Sequence, residues 1–165
     1  MTAPMAMQLV EVDRTSSPDV INQVIAIEKA AFPKHERMDT YLMTEATTPG
    51  HVMVVAVSNG SAVCGYVLLA SNSIAGRIVK IAVDPSKQRQ GIGRYLLQEA
   101  IRRLYKTMCI TLHVAVHRDG ARHLYESLGF QMQERRQHYY GVGQDAFVME
   151  LSRSDYSLAL GYMTS

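Results

Sequence analysis

The sequence predicts one domain of the α/β class, and three observations support this prediction. Short runs rich in Val, Ile and Leu alternate with stretches whose apolar residues recur at helical spacing. Turn-forming pairs such as Asn59-Gly60 separate the runs. The chain of 165 residues, 47% hydrophobic and 19% charged, has the size and composition of a compact domain with its own core. Taken in order, the predicted elements are β-α-α-β-β-β-α-β-α-β-β.

The first half of the chain is predicted to hold one strand, two helices and a hairpin. Residues 9–12 alternate apolar with polar side chains, which is typical of a strand. A helix begins at Pro18 with Ser17 as its N-cap. Phe32-Pro33 ends this helix, because the residue before a proline is pushed out of helical geometry. The remaining elements are a short helix at 39–46 and strands at 52–57 and 62–69, joined by the Asn59-Gly60 turn.

The second half is organised around a strand, a glycine-bearing turn and a helix between Gly76 and Met108. Residues 78–83 are an apolar, β-branched run that Asp84-Pro85 ends. After a polar turn, apolar residues recur at helical spacing from Ile92 to Leu104. The later elements are a strand at 109–116, a helix at 119–128 closed by Gly129, and a hairpin with strands at 130–139 and 146–151.

The composition excludes several classes of function. The net charge of +2 is too weak, and the basic residues are too scattered, to indicate a nucleic-acid partner. Residues 1–13 have neither a basic region nor a long apolar run, so we expect no signal peptide, and no stretch is long enough to cross a membrane. Cys64 and Cys109 lie in apolar runs without zinc-ligand spacing. We therefore expect no metal site and a cytoplasmic or nucleocytoplasmic location.

The domain is expected to span residues 1–151 and to be followed by a tail, residues 152–165. The tail carries Tyr156, Leu158, Leu160 and Tyr162, and this apolar content argues against pure disorder. Three roles stay open for it: a disordered end, a strand that docks on a second subunit, or a contact with another partner. Whether the protein forms a homodimer or binds an auxiliary subunit therefore stays open.

The turn between the strand at 78–83 and the following helix has the features of an anion site. The first N–H groups of a helix have no partner within it, and glycine at 91 and 93 lets a phosphate approach them closely. The turn lacks the Gly-Lys-Ser/Thr end of a nucleoside triphosphatase loop and the three glycines of a Rossmann site. The residues available to an anion are Gln88, Arg89, Gln90, Gly91, Ile92, Gly93 and Arg94.

This Gln-x-x-Gly-x-Gly turn after a strand resembles the acetyl-CoA pyrophosphate loop of the Gcn5-related N-acetyltransferases, the GNAT family. The element order is similar to that family's from about Gln8 to Leu151. Within the family, the chain looks most like the N-terminal protein acetyltransferases, including the bacterial enzymes of the ribosomal-protein alanine acetyltransferase type. The segments that carry this likeness are Phe32-Pro33, Leu112-His113-Val114, and His138-Tyr139-Tyr140 followed by Gln144-Asp145-Ala146.

The resemblance implies a mixed, mostly antiparallel sheet of six or seven strands with about four helices. It also implies acetyl transfer from acetyl-CoA to a primary amine by direct attack in a ternary complex. The fourth and fifth strands would splay apart, and the pantetheine arm would bind backbone groups of Ile81, Ala82 and Val83, one N–H of which polarises the carbonyl. The pyrophosphate would bind the N–H groups of residues 89–94, helped by the side chain of Arg89 or Arg94.

Tyr125 is predicted to be the general acid. It lies in Ala121-x-x-x-Tyr125-x-x-x-Gly129-Phe130, which is similar to the family segment whose tyrosine points at the coenzyme sulfur. A phenol with a pKa of about 10 is suited to protonating a thiolate. Its place on the apolar stripe of its helix is also typical of a core residue. At position 118, where the family commonly has an asparagine that contacts the coenzyme, this chain has Arg118, which leaves that contact open.

His113 is the leading candidate for the base that accepts the amine proton. Imidazole titrates near neutral pH, and the residue matches a histidine that related enzymes use through water. A purely structural strand histidine is the alternative. His35 and Glu36 are further candidates, since the loop after Phe32-Pro33 lines the peptide site in the family. Glu28, on the first helix, is expected on a solvated face.

The resemblance also implies an acceptor cleft suited to a chain end. Tyr139 and Tyr140 would close over the substrate from the hairpin, with Phe32 and Pro33 opposite and Glu36 beside them. The expected acceptor is the α-amino group of a protein or peptide N-terminus, whose reference pKa of about 7.7–8.0 leaves a sizeable neutral fraction. Two alternatives stay open: a small amine, polyamine or lysine as acceptor, and a non-catalytic acyl-CoA-binding regulatory subunit.

Overall fold

The computed structural model describes residues 6–162, which form one seven-stranded sheet with helices on both faces. The strands are β1 (Met7–Val12), β2 (His51–Ser58), β3 (Ala62–Ser71), β4 (Ala75–Val83), β5 (Cys109–Ala115), β6 (Gln131–Arg136) and β7 (Ala146–Ser152). The α-helices are α1 (Pro18–Ala31), α2 (Leu42–Ala46), α3 (Ile92–Arg103), α4 (Asp119–Ser127) and α5 (Tyr156–Ala159). The predicted order is confirmed, with the single turn of α5 added. Single 3₁₀ turns lie at Lys34–Glu36, Pro85–Lys87 and Arg153–Asp155.

The strands are arranged in the order β1-β2-β3-β4-β5-β7-β6. Each neighbouring pair is antiparallel except β4 and β5, which run parallel because the crossover helix α3 connects them. The predicted mixed, mostly antiparallel sheet is therefore confirmed. Among the described residues, no helix is long and apolar enough to cross a membrane.

Local sequence signals account for the ends of several elements. The N–H of Val20 donates to Ser17 Oγ at 3.4 Å, so Ser17 caps α1 as predicted. Phe32 is extended, with φ −127°, and it ends the helix before Pro33. Asn59 and Gly60 both have positive φ, 50° and 81°, as the predicted tight turn between β2 and β3 requires.

The two faces of the sheet carry separate hydrophobic cores. Alternate residues of β2 point to opposite faces, Val54 and Ala56 to one and Met53 and Val55 to the other. The α3 core packs helices α3 and α5 on the first face; among its buried members are Leu96, Leu97, Ile101, Ile110 and Tyr156. The α1 core packs α1 and α2 on the second face; among its buried members are Val24, Ile27, Leu42, Tyr66 and Leu68.

Part of the expected tail packs in the α3 core. Tyr156 and Leu160 are 1% and 4% exposed and lie in the α3 core. The hydroxyls of Tyr156 and Thr107 are 3.1 Å apart, which ties α5 to the chain before β5. The structure thus packs Tyr156, Ala159 and Leu160 into the core that the preceding chain builds, whereas Leu158 is exposed. Residues 1–5 and 163–165, the ends of the expected domain and tail, lie outside the described residues.

Two predicted elements are shorter in the structure. The second helix begins at Leu42 rather than near residue 39. The sixth strand ends at Arg136 rather than at residue 139, because the chain turns at His138, whose φ is +55°. The Asp145 carboxylate accepts a hydrogen bond from the His138 N–H at 2.9 Å and holds that turn. The loop between β6 and β7 is therefore longer than expected, and it carries Tyr139 and Tyr140 off the sheet.

Candidate active site

A cleft of about 1330 Å³ opens between the ends of β4 and β5. The two strands pair between Ala75–Ile78 and Cys109–Leu112, and beyond these residues they separate. The expected splay of the fourth and fifth strands is thus confirmed. Residues 79–83 form one wall of the cleft, including the predicted coenzyme-binding residues Ile81, Ala82 and Val83, and residues 113–115 form the opposite wall.

The turn before α3 supplies free backbone donors at one end of the cleft. Gly91, the N-cap, has φ +82°, a left-handed conformation that favours glycine. The N–H of Tyr95 is the first to donate into the helix, to the Gly91 carbonyl at 3.0 Å. Among the described residues, the N–H groups of 91–94 have no carbonyl partner. The space beside Gly91 is open, because a Cβ built there would meet no atom within 4 Å. The N–H donors and this open space fit the pyrophosphate of acetyl-CoA.

Some side chains of this turn line the cleft and others do not. Gln88 and Arg89 line the cleft, and Arg89 has a positive φ of 63°. The Nη2 of Arg94 instead donates to Ser127 Oγ at 2.8 Å, which ties α3 to α4. Ile92 is 1% exposed within the α3 core, so it can offer a ligand only its backbone. Arg89 is therefore the better placed of the two predicted arginines. Also outside the lining of the cleft are Gln90, Gly91 and Gly93.

Tyr125 lies in α4 and lines the cleft although its side chain is buried. The N–H groups of Leu128 and Phe130 both donate to its carbonyl at 3.1 Å, closing the end of α4. Burial raises the pKa of Tyr125 to about 12, against an opposing effect of the nearby Arg118. The phenol therefore keeps its proton at neutral pH, as a general acid must.

The acceptor loop, defined here as residues 32–38, forms the wall beside β4. Two cations lie over the ring of Phe32: Lys80 Nζ at 3.7 Å and Arg118 Cζ at 4.6 Å from the ring centroid. Arg37 folds the loop back on α1, because its Nε donates to the Phe32 carbonyl at 2.9 Å. Phe32 lines the cleft, whereas the predicted substrate residue Pro33 is outside the lining and shapes the turn.

Glu36 provides a carboxylate inside the cleft with one oxygen hydrogen-bonded and the other without a hydrogen bond from the described residues. The residue is 5% exposed, and Arg118 Nε donates to its Oε2 at 2.9 Å. The other oxygen, Oε1, is buried and accepts no hydrogen bond from residues 6–162. His35 Nε2 and His117 Nε2 lie 3.5 and 3.7 Å from it, at ion-pair rather than hydrogen-bond distance. A buried oxygen of this kind indicates a place for a donor that a ligand brings.

His113 faces the loop between β6 and β7 rather than the acceptor loop. Its ring stacks on Tyr139, with centroids 4.4 Å apart and planes 7° from parallel. Burial lowers the pKa of His113, and the cations of Arg136 and Arg77 lower it further. Its Nε2 is buried and has no hydrogen-bond partner among the described residues. The imidazole is thus neutral near pH 7 with a free ring nitrogen, the state that a base requires.

The predicted tyrosine pair lines the cleft. Tyr140 meets the ring of Tyr139 edge-on at 4.8 Å. Burial raises the pKa of Tyr140, and the charges of Tyr139, Glu36 and Tyr125 act in the same direction. The structure therefore brings together the hairpin loop, the acceptor loop and α4, as the sequence analysis expected.

Two residues of this region, Glu28 and Lys80, differ from what the sequence led us to expect. Glu28 was expected on a solvated face, and this is wrong: it is 0% exposed. Its position four residues after Val24 on α1 places it on the buried stripe, which was a usable signal. Lys80 was missed, although a lysine within the apolar run 78–83 indicates a cation with a partner. Arg118 was noted for an altered coenzyme contact, whereas its side chain binds Glu36.

Comparisons with known proteins agree with this geometry. The family model described as the acetyltransferase (GNAT) family matches residues 21–130. An N-alpha-acetyltransferase of Sulfurisphaera tokodaii is 29% identical over 144 residues, covering 78% of this chain and 85% of the relative. An N-terminal acetyltransferase complex ARD1 subunit homolog of Dictyostelium discoideum is 31% identical, covering 81% of this chain and 70% of the relative.

A solved structure extends the likeness to three dimensions. The crystal structure of the ribosomal-protein-S18-alanine N-acetyltransferase from Escherichia coli superposes with a TM-score of 0.76 at 27% identity. The match covers 88% of this chain and 93% of that chain. The splayed strands and the free N–H groups before α3 thus occur in a fold that known acetyl-CoA-dependent enzymes share. The chain belongs to the GNAT family of acetyltransferases.

Proposed function

We propose that this chain transfers the acetyl group of acetyl-CoA to the α-amino group of a protein or peptide N-terminus. The observation that carries the proposal is Oε1 of Glu36, a buried carboxylate oxygen in the cleft with no hydrogen bond from the described residues. An incoming ammonium would satisfy it with a charge-assisted hydrogen bond. The names of the relatives, an N-alpha-acetyltransferase and an S18-alanine N-acetyltransferase, support the same class of acceptor.

The coenzyme half of the site would bind through backbone groups. Acetyl-CoA, when bound, supplies an acetyl group activated as a thioester. The N–H groups of residues 91–94 and the Arg89 side chain would hold the pyrophosphate. The backbone of Ile81, Ala82 and Val83 would hold the extended arm, since these residues form the β4 wall of the cleft.

Two side chains would handle protons. Tyr125 holds a proton on its Oη throughout the physiological range, because burial raises its pKa to about 12, and it would act as the general acid. His113 Nε2 is free, and the pKa of its ring is lowered by burial and by nearby arginines. We therefore assign His113 as the base, acting directly or through water. Glu36 would bind and orient the amine.

The charges of the acceptor half favour a single ammonium over a polyamine. Lys80 and Arg118 both lie over Phe32, where the acceptor would enter. Glu36 offers one free carboxylate oxygen, enough for one amino group. Both cations are already paired with carboxylates, Lys80 with Glu28 and Arg118 with Glu36, so those paired oxygens are not available to a second ammonium group of a spermidine-like molecule.

The test is coenzyme-A thiol release with three classes of acceptor. Peptides with free N-termini are compared with matched N-terminally blocked peptides that contain lysine, and with spermidine. We expect turnover with free N-termini alone, and loss of that turnover in Tyr125→Phe with acetyl-CoA binding retained. Turnover of blocked peptides or spermidine at the same rate would overturn the proposal.

We further propose a cytoplasmic location, in keeping with the two unpaired cysteines Cys64 and Cys109. We propose that a homodimer or an auxiliary subunit would tune substrate choice. Light scattering on the purified protein measures the oligomeric state, and capture of a stoichiometric second subunit from cells would identify an auxiliary partner.

A further inference from the structure

A fully buried carboxylate lies directly behind the acceptor loop. Glu28 Oε1 accepts a hydrogen bond from the Met38 N–H, at the end of the loop, at 2.7 Å. The hydroxyl of Tyr66, a buried residue of β3, donates to Oε2. Lys80 Nζ, from β4, lies 3.4 Å from Oε1. One carboxylate thus joins α1, two strands and the acceptor loop inside the α1 core.

Lys80 connects this carboxylate to the residue that offers the free oxygen in the cleft. Its Nζ donates to the backbone carbonyl of Glu36 at 2.5 Å and lies over the ring of Phe32. Its side chain is 10% exposed, so the ammonium group is largely withdrawn from water. Burial lowers the pKa of Lys80, and the Glu28 carboxylate opposes that shift. The ion pair therefore holds the acceptor loop at two points, the backbone carbonyl of Glu36 and the N–H of Met38.

We propose that Lys80 and Glu28 are positioning residues of the acceptor site, which fix the loop on β4 so that Glu36 Oε1 faces the incoming amine. This inference rests on the proposed function, because Glu36 is there the ligand of the amine. A buried ion pair is weak support for stability, since apolar residues of similar volume often serve as well. Its link to Glu36 instead indicates a role in positioning that residue. Positioning matters because a misplacement of about 1 Å can lower a rate about 100-fold.

The test removes the pair and asks whether Glu36 still matters. Glu28→Gln with Lys80→Met, the pair variant, removes both charges together and leaves neither one buried alone. The amide oxygen that replaces the Glu28 carboxylate can still accept a hydrogen bond from the N–H of Met38. Glu36→Gln is made in the wild type and in the pair variant, and kcat/KM for the acceptor is measured in all four proteins. Circular dichroism fixes a temperature at which all four are folded.

We expect the pair variant to lose about 10-fold to 100-fold in kcat/KM for the acceptor, as a displaced catalytic group does. The KM for acetyl-CoA should stay within about twofold of the wild-type value. Glu36→Gln should cost far less in the pair variant than in the wild type, because residues that act through one another are not additive. A purely structural pair would instead give independent effects that multiply, and this outcome would overturn the inference.

Two controls complete the design. Lys29→Met removes an exposed lysine of the same helix, 3.9 Å from Asp39, and should leave all parameters unchanged. Lys80→Arg, made with Glu28 kept, retains a cation at this position. It should lose less kcat/KM for the acceptor than the pair variant loses. An equal rise of both KM values in the pair variant would show general disruption of the cleft and would also overturn the inference.

The wild-type protein separates failure of this inference from failure of the proposed function. If the wild type acetylates small amines rather than free N-termini, the proposed function fails. The same four proteins are then compared with the amine that the wild type uses. Coupling between Glu36 and the pair would still support positioning, and independent effects would still refute it.

Discussion

The two halves of the cleft are built from different kinds of group. The coenzyme half presents backbone groups. These are the N–H groups at the start of α3 and the edge of β4 beyond its pairing with β5. The acceptor half presents long side chains that converge from separate elements, with Glu36, Lys80 and Arg118 around Phe32. A backbone site tolerates most side-chain changes and fails when the chain path changes. A side-chain site fails when one partner is removed, even though the chain path is kept.

Tyr125 lies where the halves meet, and its removal should have the largest effect. Tyr125→Phe keeps the packing in α4 and against Phe130 but removes the proton donor. We expect kcat to fall about 100-fold to 10,000-fold, the range for loss of a general acid. Titration calorimetry should find coenzyme A binding unchanged. A kcat within about threefold of the wild type, far short of the loss expected of a general acid, would remove Tyr125 from the chemistry.

Substitution in the acceptor half should affect one substrate only. Glu36→Gln keeps the shape of the side chain but replaces its charged oxygen with a neutral one. Because a hydrogen bond to a charged group contributes about 1.5–3 kcal/mol, kcat/KM for the peptide should fall about 10-fold to 100-fold. The KM for acetyl-CoA should not change. Steady-state kinetics with each substrate varied in turn measures both values, and a parallel rise of both would mean that the two halves are not separate.

A backbone change in the coenzyme half should show the opposite pattern. Gly91→Ala forces a side chain onto a residue with φ +82° and places a Cβ where a phosphate would approach. We expect a loss of about 1 kcal/mol in stability and a rise of about 5-fold to 10-fold in the KM for acetyl-CoA. Gly60→Ala is the matched control, since Gly60 has φ +81° and open space around it in the β2–β3 turn. It should lose similar stability in urea without any change in KM.

The smallest expected effect concerns pH. The pKa of His113 is lowered below its ordinary value of 6.5, so the ring is neutral at pH 7 and becomes protonated only in more acidic solution. Since a protonated ring cannot accept a proton, kcat/KM for the peptide should fall as pH drops through that lowered pKa. In His113→Gln this acidic limb should be missing, and the limb of the α-amino group at about 7.7–8.0 should remain. An identical profile in the variant would reassign the base.

The sequence predicted the coenzyme half of the cleft better than the acceptor half. The turn from Gln88 to Gly93 could be placed at the start of a helix because glycine, local order and helix-end chemistry are all local properties. The pairing of Glu28 with Lys80 could not be placed in this way. Those residues lie on different elements, and their contact depends on how α1 packs across β4. The free oxygen of Glu36 likewise depends on Arg118, which arrives from the loop after β5.

At the point where β4 and β5 separate, binding of acetyl-CoA would add to the stability of the folded chain. Beyond Ile78 and Leu112 the β5-facing edge of β4 lacks the strand partner that the rest of the sheet has, so a ligand that satisfies those backbone groups completes the sheet. A ligand that binds the folded chain alone adds about 2.7 kcal/mol of stability at 100 times its dissociation constant. The lifetime of the folded enzyme in a cell would therefore rise and fall with the supply of acetyl-CoA.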